Sequence, residues 1–306
     1  MSTFRILSID GGGIRSLYTA VLLNRIAEQV PSIFEQTQFF AGSSTGSILS
    51  MGLAFGLPAA ELVEIMRAYG QVVLHKSLAQ NIGQVISAKF NIMDLHKLMT
   101  PYFGAAVLLD LAKRHSKNVL TPAFDLDGKI DDVRTWKPKI FHNFTGPQAD
   151  EGEMVVDVVT RSCAMPIEFA SYQGYIDGSI VAANPSMLAL TQAIDRETGR
   201  QNLPNIRLLS ISSGYFPRFI GGTEHDWGLG RWSFVLSPLM IDSQMGISNY
   251  QCQQLLGPLR YQRLAPLLPK PVGTTDADQM PELMEFAKEV DIEPTVEWIQ
   301  RRYLAD

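Results

Sequence analysis

The chain has 306 residues, 46% of them hydrophobic and 19% charged, enough for one large or two small domains around a sizeable core. A formal charge of -5 and a pI near 5.6 exclude nucleic acid as the main partner, because that role calls for a basic face. Cys163 and Cys252 form no CxxC pair, so neither a zinc site nor a disulfide framework is indicated. No stretch approaches a membrane span, and Met1–Arg5 leads into an apolar strand without the features of a secretory signal, so a cytosolic protein is expected.

Phe4 to Ile9 reads as a short strand, apolar enough to be buried on both faces of a parallel sheet. Asp10-Gly11-Gly12-Gly13-Ile14-Arg15-Ser16 follows. Then Ile14, Leu17, Tyr18, Val21, Leu22, Ile26 and Val30 recur at steps of three and four, one face of a helix stopped by Pro31. The glycine loop thus joins a strand to a helix start, where exposed N–H groups can hold a phosphate or an oxyanion. A DGGG loop also opens the sugar-kinase and actin-like ATPase fold, but that fold places a strand after the glycines, and the period here is 3.6.

Phe39-Phe40-Ala41 precedes Gly42-Ser43-Ser44-Thr45-Gly46, and a run of small and apolar residues continues to Gly56. The pattern predicts a strand, a sharp turn with Ser44 at its apex, and an interior helix. Taken alone, GxSxG also fits a loop that merely caps a helix. Pro58 starts the next helix, with Leu62, Ile65, Met66 and Tyr69 inward. Residues 70–104 are mixed, and Met99 and Phe103 there suit either the core or an apolar substrate wall.

Val119-Leu120-Thr121 and Ile140 to Phe144 read as two strands. Between them Asp125-Leu126-Asp127-Gly128 is read as a β-turn, since it lacks the later acidic ligands of a calcium loop. Met154 to Ala164 reads as a helix, and Tyr172 to Ser179 as a strand that brings Asp177 to an edge. Asn184-Pro185 starts a helix, and Ile206 to Ser212 is the last strand expected. Alternating strands and helices imply a three-layer α/β/α sandwich with a mainly parallel sheet. Residues 1–215 would form the catalytic domain. Residues 216–306, with an apolar helical stretch from Trp232 to Leu268 and a linker loop at Pro269 to Asp278, would form a mostly helical extension packed on it.

A serine nucleophile needs a base within hydrogen-bond reach and donors for the oxyanion. The histidines are His75, His96, His115, His142 and His225, and only His225 follows Asp177 in an α/β-hydrolase order, leaving a Ser-His-Asp triad as an alternative. The Asp10–Arg15 loop, the Gly42–Gly46 elbow, Ser162-Cys163-Ala164-Met165-Pro166, and Asp177-Gly178 with Asn184-Pro185 together resemble the patatin-like phospholipase family over residues 4–215. The resemblance implies a Ser44–Asp177 dyad without histidine and a glycine-loop oxyanion hole of Gly11, Gly12 and Gly13, with Arg15 adding positive charge. It implies hydrolysis of phospholipids or related acyl esters through an acyl-serine, with no metal or cofactor and only peripheral contact with membranes. A non-catalytic module that keeps the fold for lipid or partner binding is the other reading. Ser16 and Ser179 depart from the family pattern, in which small glycine-type residues are usual.

Overall fold

The computed structural model describes residues 3–74, 87–146 and 149–305. His75 and part of the mixed 70–104 segment lie outside them. The strands are β1 (Phe4–Ile9), β2 (Phe39–Gly42), β3 (Asn118–Ile130), β4 (Val133–His142), β5 (Tyr175–Ile176), β6 (Ile206–Ile211) and β7 (Tyr261–Leu264). Among the described residues they form a seven-stranded sheet in the order β4-β3-β2-β1-β6-β7, with β5 paired to β3. β1, β2, β3, β6 and β7 pair in parallel, and β4 and β5 run antiparallel to β3.

The helices are α1 (Ser16–Gln29), α2 (Ile33–Gln36), α3 (Thr45–Phe55), α4 (Ala59–Ala68), α5 (Ile92–Phe103) and α6 (Leu108–His115) in the first half of the chain. The second half adds α7 (Val155–Ser162), α8 (Ser179–Ala182), α9 (Ser186–Ile194), α10 (Leu229–Leu256), α11 (Met280–Glu289) and α12 (Glu293–Trp298). Side chains alternate across each strand, so β1 sends Leu7 and Ile9 into one core and Phe4 and Ile6 into another. The first core also takes residues from α1, α3, α4, α7 and α11, and the second takes residues from α9 and the end of α10. These are the three layers that the sequence pattern predicts.

The expected strand after Gly13 in a kinase-like fold is absent: Gly13–Arg15 form a 3-10 turn that runs straight into α1. Two expectations need correction. Asp125 to Gly128 is no turn but part of the long β3, at a register shift opposite Lys137 and Thr135. The hairpin reverses instead at Asp131 and Asp132, both with positive φ (48° and 64°), the pair of left-handed residues that matches strand twist. β7 is a strand where only helical stretches were expected, because Tyr-Gln-Arg-Leu is short and carries a charged, half-buried arginine in place of an apolar residue.

β1 lies where the sheet order changes direction, with β2 on one side and β6 on the other. In parallel α/β sheets, ligand sites collect beyond the strand C-termini at such a point. Here the glycine loop leaves β1, the elbow leaves β2, and Ser212-Ser213-Gly214 leaves β6.

Candidate active site

Ser44 sits between β2 and α3 with φ 50° and ψ -132°, a conformation that costs a non-glycine residue free energy. The surrounding glycines make the turn sterically feasible. A Cβ on Gly42 would collide with Ser50 Oγ and the Gly46 carbonyl, and one on Gly46 would stand 2.5 Å from the Asp10 carbonyl oxygen. The spacing in GxSxG is therefore set by two close backbone approaches. Ser44 N–H donates to Ser162 Oγ at 3.0 Å, and Ser162 Oγ donates to the Pro122 carbonyl at 2.7 Å, which pins the elbow to β3. Ser16, one of the departures, bonds Thr45 Oγ1 at 2.7 Å and ties the start of α1 to the start of α3.

Ser44 Oγ donates to Asp177 Oδ2 at 2.6 Å. Asp177 arrives from β5 and is held by its own backbone, with its N–H on the Ala164 carbonyl at 3.0 Å. Its other oxygen, Oδ1, accepts the Ser179 N–H at 2.7 Å. Asp177 has no solvent exposure, and that burial raises its pKa to about 7 against the opposing bonds from Ser44 and Ser179. The carboxylate of Glu168 pushes in the same direction. A carboxylate this basic can take a proton from serine near neutral pH.

The glycine loop lies against the Ser44–Asp177 pair: a Cβ on Gly11 would stand 3.0 Å from Ser44 Cβ. Its three amides are not equivalent. Gly11 N–H is spent on the Ala183 carbonyl at 3.0 Å, while the N–H groups of Gly12 and Gly13 have no protein acceptor among the described residues. Gly13 has φ 58° and faces the Thr274 backbone, whose carbonyl accepts the Ile14 N–H at 2.8 Å. Ser213 Oγ donates to the Gly11 carbonyl at 2.9 Å, fixing the other end of the loop.

Asp10, at the root of the loop, is fully buried and gripped bidentately by Arg263 of β7, at 3.2 Å to Oδ1 and 2.5 Å to Oδ2. Arg15 bonds neither Ser44 nor Asp177. Its Nη1 reaches the Gly214 carbonyl at 3.3 Å and its side chain lines a neighbouring cleft. Ser162, Ser213, Arg263 and Thr274 support the site from far along the chain, and of these only Ser162 belonged to a recognisable motif.

Among the described residues, no histidine bonds Ser44 or Asp177. His96 Nε2 lies 3.3 Å from Asp157, His142 is buried in the β4 region, and His225 stacks near Trp227 on the loop before α10. Met99 and Phe103 are core residues, with Phe103 edge-on to Phe55. No cluster able to hold a metal ion occurs among the described residues.

The family model "Patatin-like phospholipase" matches residues 7–190. The chain is 30% identical to CotR of Bacillus subtilis (strain 168) along 99% of both chains. It is 27% identical to a cGAMP-activated phospholipase of Pseudomonas aeruginosa (strain BWHPSA011 / Pa011) over 83% of this chain and 76% of the relative. Among solved structures, VipD from Legionella pneumophila is similar over 94% of this chain and 67% of its own, at 11% identity and a TM-score of 0.41.

Proposed function

The chain belongs to the patatin-like phospholipase family, and from that premise we propose that it is a serine acyl hydrolase of phospholipids or related ester lipids, working through Ser44 and Asp177. One observation carries this reading: the short bond from Ser44 Oγ to a buried Asp177 whose pKa is raised to about 7. Ser44 Oγ attacks the ester carbonyl carbon while its proton passes to Asp177 Oδ2. The carbonyl electron pair moves to oxygen and is met by the Gly12 and Gly13 N–H groups. As the intermediate collapses, the C–O bond to the alcohol breaks, and Asp177 returns its proton to the departing oxygen. Water, deprotonated by Asp177, then attacks the acyl-serine, and Ser44 leaves with the proton as the fatty acid is released.

The donor set is narrower than the motif implies. Gly12 and Gly13 carry the oxyanion, Gly11 holds the loop in place through Ala183, and Arg15 acts in the adjoining cleft. Loss of one such donor typically costs about 3 kcal/mol in activation free energy. Among the described residues no helix is long and apolar enough to cross a membrane. Access to lipid is therefore proposed to be peripheral, and α10 supports this by leaving Leu229, Phe234 and Met240 exposed.

The test is esterase activity on a short and a long p-nitrophenyl ester. Ser44→Ala and Asp177→Asn are expected to lose turnover on both, and His225→Ala to keep it. Loss in folded His225→Ala would restore the triad. A wild type that binds lipid vesicles yet turns over neither ester would instead favour the non-catalytic module.

A further inference from the structure

Beside the dyad lies a cleft of about 330 Å³ whose walls are continuous with the elements that hold the catalytic groups. Arg15 follows the glycine loop, Gly214 follows Ser213, and Met165 follows the Ala164 carbonyl that fixes Asp177. Arg15 is under-bonded there. Its guanidinium makes one long contact to Gly214, and its Nε is buried with no hydrogen-bond partner. Burial lowers its pKa, and the nearby charge of Arg218 lowers it further. Arg218 lines the same cleft, and among the described residues neither arginine is in an ion pair.

The other charged groups in the cleft are Lys89, Glu168 and Asp242. Burial raises the pKa of Glu168, and Thr274 Oγ1 donates to it at 2.8 Å. Asp242 is exposed on α10 and close enough to favour the charged form of Arg15. The cations outnumber the anions. Two guanidiniums that repel each other across a cleft, one with an unsatisfied buried N–H, are arranged for an anion with several acceptor oxygens, and a phosphate matches the planar fork of arginine. Apart from Ser237, Thr274 and Tyr215, the rest of the wall is apolar, including Met165, Ile241 and Val272, which suits an anion attached to a hydrophobic body rather than a free ion.

We propose that Arg15 and Arg218 form a receptor for a phosphate group, and that it holds the headgroup phosphate of a lipid whose acyl ester is presented to Ser44. This rests on the hydrolase reading and deepens it: the receptor sets the preference for phospholipids over neutral glycerides. The test compares dipalmitoyl phosphatidylcholine with dipalmitoylglycerol in the same detergent micelles, for wild type, Arg218→Gln and Arg15→Lys. The ratio of kcat/KM for the phospholipid to that for the diacylglycerol is expected to fall about tenfold in each variant, the usual scale for charge-assisted bonds. An unchanged ratio in both variants, with both lipids turned over, overturns the receptor.

A second arm separates the sources of phosphate. Glycerophosphocholine is expected to inhibit short-ester turnover by wild type at concentrations where inorganic phosphate does not, and the reverse order would overturn the headgroup assignment. If wild type turned over neither lipid nor either p-nitrophenyl ester, the hydrolase reading would fail on its own. The receptor would then be judged by glycerophosphocholine-induced thermal stabilisation, which supports it if lost in Arg218→Gln and overturns it if absent from wild type.

Discussion

Asp177 is fully buried, and burial raises its pKa to about 7, so under the proposed mechanism its ionisation would set both activity and stability. The proposed base must be ionised. The account therefore predicts that kcat/KM on a neutral ester falls about tenfold per pH unit well below pH 7 and levels off above it. Stability moves the other way. Between the unfolded pKa of about 4 and the folded value, the native state holds a proton that the unfolded chain has lost, so stability declines as pH rises through this window. At pH 8 the cost approaches roughly 4 kcal/mol. Asp177→Asn removes the buried charge, and the variant should be inactive yet melt several degrees higher than wild type at pH 8, with the gain shrinking toward pH 4. A variant that melts lower at pH 8 would contradict this origin of the raised pKa.

The elbow between β2 and α3 depends on its connection to β3. Ser162 accepts the Ser44 N–H and donates to the Pro122 carbonyl, both buried. Ser162→Ala leaves two buried polar groups unpaired, which costs about 1–3 kcal/mol for each. It should lower the urea midpoint, and it should reduce kcat more than it raises KM, because a loosened Ser44 backbone misplaces Oγ. An unchanged midpoint would show that the elbow is held by its glycine contacts alone. The strand-turn-helix elements on either side of Ser44 could be read from sequence because their periods change sharply at glycines whose lack of a Cβ is required. The Ser162 contact could not, since it joins positions 118 residues apart. Likewise, the exchange of Asp10 with Arg263 spans 253 residues and lies on a strand of four residues with no alternating pattern.

Residues beyond 215 are proposed to be inseparable from the rest. β7 continues the sheet beside β6, Arg263 neutralises Asp10, and the Thr274 carbonyl holds the end of the glycine loop. At the far terminus Arg5 Nε donates to the Tyr303 carbonyl at 2.6 Å, and Tyr303 OH meets Thr37 at 2.9 Å. A chain cut to residues 1–215 is predicted to be insoluble or to lack a cooperative melt, and a truncated protein with a sharp transition would refute this. In the full chain, Arg263→Met leaves the Asp10 carboxylate buried without its partner, a loss on the order of 3–5 kcal/mol measurable by urea unfolding. Composition and periodicity reveal the sandwich because they report burial. They do not report which distant loops meet at the switch point, and the site is built from those loops.

The most direct test of the dyad is to trap its acyl-type intermediate. Wild type would be treated with a long-chain fluorophosphonate at pH 8 and analysed by intact mass and peptide mapping. The account predicts one adduct, on Ser44, forming far more slowly in Asp177→Asn and not at all in Ser44→Ala, with His225→Ala labelled as fast as wild type. No adduct on Ser44, or labelling that depends on His225 and not on Asp177, would contradict it.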